Sequence, residues 1–83
     1  SWGEGLHPED LPSTAEAWSR SIATGAPYDV EHRVKMRSGD YRWARSRAFP
    51  RRANGGEIVK WYGATEDIHE RKLAEAELRA AHA

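Results

Sequence analysis

Three stretches of alternating side chains constrain the fold of this chain more than any other feature of its sequence. Over residues 28–37, apolar or aromatic side chains alternate with charged ones, and a comparable alternation runs over residues 41–50 and 57–66. A period of two is typical of a β-strand, because successive side chains point to opposite faces of a sheet. The sequence therefore predicts three strands at these positions.

Short turns separate the predicted strands. Ser38-Gly39-Asp40 and Asn54-Gly55-Gly56 contain glycines, which take up positive φ without steric cost. Pro50 lacks an N–H donor, so we expect it to end strand pairing or to lie at an edge. Two short connections between three consecutive strands indicate an antiparallel meander.

A helix is predicted on the N-terminal side of the strands. Residues 1–12 contain two Gly and two Pro and predict a loop. A short amphipathic helix follows over residues 13–24, where Ser13 and Glu16 fit a capping box. One face of this helix carries apolar residues at helical spacing, namely Ala15, Trp18 and Ile22.

A second helix is predicted over residues 67–83. Asp67 is a good N-cap, and strong helix formers dominate the residues that follow it. Alternating spacings of three and four, typical of a coiled-coil seam, relate Arg71, Ala74, Leu78 and Ala81. The segment is too short to be stable alone, so we expect it to need the sheet or a partner helix. The predicted fold is α+β: a three-stranded antiparallel sheet with one N-terminal amphipathic helix and one C-terminal helix.

Composition excludes several functions for this chain of 83 residues, which is long enough for one small domain. It has no cysteine, which excludes disulfides, thiolate metal sites and cysteine nucleophiles. Its four histidines form no pair at the i,i+4 spacing, so we predict no metal and no cofactor. No apolar run reaches bilayer-spanning length, so we predict no membrane contact. No nucleophile, base and acid are recognisable as a set, so we predict that the chain is not an enzyme.

Several short motifs resemble the PAS family, in the C-terminal part of its domain that is often called the PAC motif. They include, in the family order, His7-Pro8-Glu9-Asp10, Ser38-Gly39-Asp40-Tyr41-Arg42-Trp43 and Gly63-Ala64-Thr65-Glu66-Asp67-Ile68-His69-Glu70-Arg71-Lys72. The last run is the most specific, and it resembles the boundary between a PAS sheet and a signalling helix. The resemblance implies a sensory and dimerisation module of a cytoplasmic signalling protein. Its effector would be a histidine kinase or a diguanylate cyclase.

The same resemblance implies that this chain holds only part of the domain. A PAS sheet has five strands, and two of them precede the helix predicted at 13–24. Residues 1–12 are too few to supply them, so we expect a partial PAS fold from a longer protein. Its exposed sheet edge would then associate readily. The partners we predict are a second copy of the chain, as a homodimer or higher oligomer, and an effector domain in the parent chain.

Two candidate sites follow. The first is a small-molecule pocket, although a plain hydrophobic core is the stronger interpretation of aromatic residues at alternating positions. Its lining would be Trp18, Ile22, Val30, His32, Val34, Trp43 and Trp61. The second is a signal-transmission junction made of Asp67, Ile68, Gly63, Arg42 and Arg45. There Asp67 would cap the helix and pair with Arg42 or Arg45, so that a change in sheet packing alters the angle or register of the helix.

A basic block is the third candidate site. Eight arginines and lysines lie between residues 33 and 52, against the single acid Asp40. Such a block is compatible with nucleic acid, with Trp43 and Phe49 as stacking groups. Pairing with acidic neighbours such as Asp29 and Glu31 also explains it, and we favour this interpretation. A protein- or nucleic-acid-binding module is therefore the alternative function.

Overall fold

The computed structural model describes residues 5–82 as two helices and a three-stranded antiparallel sheet with the strand order β1-β2-β3. This architecture confirms the predicted α+β fold. The elements in chain order are α1 Leu11–Thr24, β1 Tyr28–Lys35, β2 Tyr41–Arg52, β3 Ile58–Asp67 and α2 His69–His82.

Helix α1 begins two residues before its predicted start. Asp10 occupies the N-cap position without a side-chain capping bond, and Pro12 lies in the first turn, where its missing N–H costs nothing. The predicted capping box is therefore wrong, and the Ser13 hydroxyl instead donates to the Asp10 carbonyl at 3.1 Å. The helix ends at Gly25, whose φ of 76° lies in the left-handed region that glycine favours.

The strand limits also differ from the prediction at several ends. β1 stops at Lys35, and β2 continues through Pro50 to Arg52. Along an antiparallel pair of strands, hydrogen-bonded residue pairs alternate with non-hydrogen-bonded pairs. The Met36 N–H donates to the Asp40 carbonyl, so the even-numbered residues of β2 are the ones whose backbone N–H and C=O groups point towards β1. Pro50 is even-numbered, so the side on which its N–H is missing faces β1. Because the first residue of β1 pairs with Ala48, β1 does not extend as far as Pro50 and no hydrogen bond is lost there.

The core lies between α1 and one face of the sheet, called here the inner face. Trp18 of α1 packs edge-on against Tyr28 at 5.1 Å and against Trp61 at 5.2 Å, measured between ring centroids. The core is small and half polar, because its buried side chains include Thr14, Ser21 and His32 besides Tyr28, Ala44 and Ile68. Ile22, predicted to lie in this core, is 54% exposed, because the buried face of α1 runs through Thr14, Trp18 and Ser21.

Gly63 in β3 lies unusually close to the neighbouring strand. A Cβ atom at this position would come within 2.8 Å of the Arg47 carbonyl oxygen and 3.4 Å of the Ala48 Cβ. The oxygen belongs to the backbone of a central strand, so it cannot swing aside as a flexible side chain would. The close approach of β2 and β3 at this point therefore requires glycine.

We predict that Gly63→Ala destabilises the domain by about 1–3 kcal/mol, the usual cost of overpacking. The measurement is the free energy of unfolding from urea titration. Gly5→Ala is the matched control, because a Cβ atom there would meet nothing within 4 Å. Equal stability of the two variants would show that β2 and β3 are not closely packed at Gly63.

Candidate functional site at the sheet–helix junction

The backbone at the end of β3 is bonded to the central strand as the chain enters α2. The Ile68 N–H donates to the Trp43 carbonyl at 3.1 Å, and the Trp43 N–H donates to Nδ1 of His69 at 3.1 Å. The Ile68 side chain is buried, with 4% of its surface exposed. The first residue of α2 is thus tied to the same residue of β2 that holds the end of β3.

A second contact at the junction is an arginine clamp on two carboxylates. Arg42 donates from Nε to Asp67 at 2.9 Å, and its Nη2 contacts Glu70 at 2.9 Å. Asp67 also accepts the N–H of His69 at 2.9 Å, so its carboxylate caps α2 while it binds the sheet. Glu70 lies in the first turn of α2, where a negative charge is favourable. Arg42 therefore links β2 to both the cap and the first turn of the helix.

Electrostatics favour the charged form of the capping residue. The hydrogen bond from Arg42, followed by that from the His69 backbone, lowers the pKa of Asp67 below its usual value. Arg45, the other partner predicted for Asp67, instead binds Asp29 on β1 at 2.6 Å. Of the two partners predicted for Asp67, Arg42 binds it and Arg45 does not, because Arg45 and Asp67 lie on opposite faces of the sheet.

The outer face of the sheet, opposite α1, contacts the first turns of α2. Trp43 lies on this face between two cations: its ring centroid is 5.1 Å from the Arg33 guanidinium carbon and 4.7 Å from Lys72 Nζ. Glu31 beside it accepts from Lys72 at 3.0 Å and from Arg71 at 2.9 Å, and the bond from Lys72, followed by the charge of Arg71, lowers the pKa of Glu31. Trp43 was predicted to line the inner pocket, and that placement is wrong.

Arg33 extends this cluster towards the start of α1. Its guanidinium donates to both carboxylate oxygens of Asp10, at 2.9 Å and 2.7 Å, and its backbone N–H donates to the same carboxylate at 2.7 Å. These bonds lower the pKa of Asp10. Contacts therefore run without a break from the N-terminus of α1, through Arg33 and Trp43, to Lys72 on α2.

The inner face carries a row of polar groups instead of a closed apolar pocket. His32 Nε2 lies 2.9 Å from the Ser46 hydroxyl, which lies 3.1 Å from the Thr65 hydroxyl, and His32 Nδ1 lies 3.5 Å from Thr14. Trp18, Val34 and Trp61 lie near this row, with Val30 between Tyr28 and His32 on the same face. The open depressions on this face are lined by both apolar and hydroxyl groups.

The residues predicted to form a coiled-coil seam lie along α2 beyond its contact with the sheet. Arg71 is bound to Glu31 on β1, while Ala74, Leu78 and Ala81 are exposed. Leu73 and Leu78 expose 51% and 61% of their surface. The second half of α2 thus presents apolar side chains to no other part of the described chain.

The sequence did not indicate the contacts that His69 and Trp43 make at the junction. His69, the first residue of α2, belongs to the run that resembles the PAS boundary, but that resemblance does not show that its ring accepts the Trp43 N–H, which depends on the turn at Ile68. The predicted junction residues Arg42 and Asp67 are in contact, next to Ile68. Gly63 lies four residues before Asp67 in β3, where it pairs with Ala48. Among residues 5–82, no group of three His, Asp or Glu side chains is placed to hold a metal ion.

Comparison with known proteins places the chain in a family. A family model described as the PAS fold matches residues 1–65. The protein y4lL of Sinorhizobium fredii is 46% identical, over 94% of this chain and 10% of the relative. The peroxide stress-activated histidine kinase mak1 of Schizosaccharomyces pombe is 35% identical, over 89% of this chain and 4% of the kinase. The chain therefore spans a tenth or less of these two curated relatives.

Solved structures of sensor proteins have the same fold as this chain. A sensory box histidine kinase/response regulator from Burkholderia thailandensis matches with a TM-score of 0.82 and 35% identity, over 95% of this chain and 60% of that one. The N-terminal domain of a diguanylate cyclase with PAS/PAC sensor from Marinobacter aquaeolei matches with a TM-score of 0.78 and 25% identity, over 86% and 65%.

The three-stranded meander and the helix that follows its last strand match the α+β fold of these PAS structures. The chain belongs to the PAS family, and it is a sensory signalling module. None of the helices described over residues 5–82 is long and apolar enough to cross a bilayer.

The buried histidine predicts a pH dependence of stability. Burial lowers the pKa of His32 below its ordinary value of 6.5, opposed in part by the charge of Asp10. Near pH 6 the unfolded chain therefore binds more protons at this residue than the folded chain, so the contribution of His32 to stability rises with pH. We expect the midpoint of urea unfolding to decrease as the pH is lowered from 7.5 to about 5.5, because the histidine of the unfolded chain becomes protonated over this range.

His32→Gln is the variant that isolates this effect, because glutamine keeps hydrogen-bonding groups and does not titrate. The drop in midpoint over the same pH range should be smaller in this variant than in the unmodified chain. His7, His69 and His82 are present in both proteins and provide the internal control. An unchanged pH dependence would contradict the assignment to His32.

Proposed function

We propose that this chain transmits a change in sheet packing to helix α2, and that α2 continues as a coiled-coil linker towards an effector. The observation that supports this most directly is that two adjacent residues of β2 bind both the end of β3 and the start of α2. Trp43 bonds to Ile68 and His69 through its backbone, and Arg42 clamps Asp67 and Glu70. Any shift of β2 relative to β3 therefore acts on the first turn of α2.

The mechanism is a shift between two arrangements of the junction. In the arrangement described, Asp67 serves both β2 and the helix cap, so the direction of α2 is coupled to the strand pair. A signal that favours a different packing of β2 would release one of these bonds and change the angle or register of α2. Such exposed ion pairs are individually weak, about 0.2–1 kcal/mol, which allows a modest signal to shift the population.

The effector is proposed to be a histidine kinase or a diguanylate cyclase in the parent chain. Relatives whose names contain these activities share the PAS segment, and the chain described is a small part of the kinase relative. The chain itself would act without catalysis and as a dimer. The exposed residues Leu73 and Leu78 suit pairing of α2 with the same helix in a second copy.

We predict that Asp67→Ala loosens the start of α2. The variant loses the cap and the contact with Arg42, and a lost cap costs about 1 kcal/mol, which corresponds to about fivefold faster amide exchange in the first turn. The measurement is hydrogen exchange by NMR at Lys72, whose N–H donates to the Ile68 carbonyl in the first turn. Glu77→Ala removes an exposed carboxylate farther along α2 and should leave this rate unchanged.

The functional arm of the experiment uses the parent protein. Asp67→Ala should change the response of its kinase or cyclase output to the signal by several-fold, and Glu77→Ala should not. If Asp67→Ala speeds exchange at the first turn of α2 but leaves the output response intact, the junction is a plain helix cap, and the proposed transmission is wrong.

A further inference from the structure

The turn between β2 and β3 carries the only side-chain amide in the sequence. Asn54 is the single asparagine, there is no glutamine, and Gly55 follows Asn54 directly. Asparagine is one of the thermally labile residues of proteins. The turn lies at the end of β2 and β3 opposite to the junction with α2, so its chemistry is independent of the proposed transmission.

Two backbone hydrogen bonds shape this turn. The Gly56 N–H donates to the Ala53 carbonyl at 2.9 Å, and the Ala53 N–H donates to the Glu57 carbonyl at 2.9 Å. Gly56 has a φ of 91°, which is typical of a hairpin loop in which a β-turn is followed by a left-handed glycine. Asn54 and Gly55 are the two central residues of this β-turn, and both are exposed.

The groups that could react with each other in this turn are not held by other parts of the structure. Among residues 5–82, neither the Asn54 side chain nor the Gly55 N–H takes part in a hydrogen bond. Gly55 has no Cβ atom, so its nitrogen is open to the Asn54 side chain, and its backbone can adjust as the two approach. The backbone nitrogen of Gly55 can therefore reach the side-chain carbonyl carbon of Asn54.

We propose that Asn54 is a site of spontaneous deamidation. The Gly55 nitrogen loses its proton to hydroxide and forms a bond to the side-chain carbonyl carbon of Asn54. The bond from that carbon to the amide nitrogen breaks, and the nitrogen takes up a proton from water and leaves as ammonia. Water then opens the succinimide ring at either of its carbonyl carbons, which gives aspartate or isoaspartate at position 54.

Both products change the electrostatics of the turn. Each replaces a neutral amide by a carboxylate and lowers the net charge of the chain by one unit. Arg52 is the nearest cation along the chain, and its Nη1 donates to the Gly56 carbonyl at 2.7 Å. Because hydrogen bonds to a carboxylate are stronger than those to a neutral carbonyl, Arg52 should move towards the new charge. The Arg52 guanidinium also packs against Gly25, so the change should reach the end of α1.

Isoaspartate changes the path of the backbone as well. The main chain then runs through the side-chain carbon of residue 54, which lengthens the loop between Ala53 and Gly56 by one atom. The bond from the Gly56 N–H to the Ala53 carbonyl fits a turn of ordinary length, so it should be lost. The Gly56 amide should therefore lose protection from hydrogen exchange.

The first test is incubation of the 83-residue chain at mildly alkaline pH, followed by mass spectrometry and ion exchange. A more acidic species should accumulate, heavier by the difference between an OH and an NH2 group, and the change should lie in the tryptic peptide of residues 53–60. An isoaspartyl-specific methyltransferase should label this species. None of the aspartates precedes a glycine, so the same ring closure is not favoured at any of them.

Two variants provide the controls. Asn54→Ser keeps a residue that suits a turn but has no amide to lose, so it should give neither the acidic species nor the methyl label. Asn54→Asp carries the negative charge from the start. It should still gain the methyl label, without a change of mass, because an aspartate before glycine can close the same ring.

The second test follows the structural consequence by NMR as the product accumulates. The Gly56 amide should lose protection, and the resonance of Gly25 should shift, whereas both should stay constant in Asn54→Ser. A product that leaves the Gly25 resonance in place would overturn the effect on α1.

Other outcomes would overturn the site itself. If the folded chain stays unlabelled while the chain unfolded in guanidinium chloride is labelled, the turn protects Asn54 and the proposal is wrong. Equal labelling of Asn54→Ser would also contradict it, because the isoaspartate would then lie elsewhere in the chain.

Discussion

The antiparallel pairing of β2 with both of its neighbours is the constraint on which the rest of the structure depends. Because hydrogen-bonded positions alternate along β2, its even-numbered residues direct their backbone N–H and C=O groups to β1, and its odd-numbered residues direct theirs to β3. The same alternation also places Arg42 on the inner face and Trp43 on the outer face. The first turn of α2 is held by both residues, so its position follows from the strand that carries them.

The two faces of the sheet have different chemistry as a result. The inner face carries the polar row of His32, Ser46 and Thr65 beneath α1, and the outer face carries Trp43 between Arg33 and Lys72. The basic block is mixed with acids on the outer face, where Arg33 pairs with Asp10 and Arg45 with Asp29. Several of its arginines are thus already neutralised, which favours the interpretation as ion-paired strands over a nucleic-acid surface.

The sequence was sufficient for the elements and their order, because alternation and helix formers are local signals. It was insufficient for contacts that depend on register between strands. Trp43 was assigned to the same sheet face as His32 from the alternation within each strand, yet the register pairs Trp43 with Arg33 on the other face. Likewise, Arg42 and Arg45 were equivalent candidates for Asp67 until the pairing of β2 with β3 separated them.

The helix limits show the same division between local and tertiary information. Ser13 satisfies the capping pattern, but the chain enters α1 earlier because Asp10 is fixed by Arg33 on β1. Ile22 satisfies the apolar period of α1, but the sheet faces the side of the helix that carries Thr14 and Ser21. Local patterns thus indicated which segments are helical, and tertiary contacts decided where they begin and which face they bury.

The central claim is that Arg42 couples β2 to the direction of α2, and a distance between spin labels tests it most directly. The chain has no cysteine, so labels at Lys35→Cys on β1 and Ala76→Cys on α2 are the only ones introduced. Pulsed electron paramagnetic resonance should give one narrow distance distribution with Arg42 intact, and a broader or shifted one after Arg42→Gln. Identical distributions would contradict the coupling.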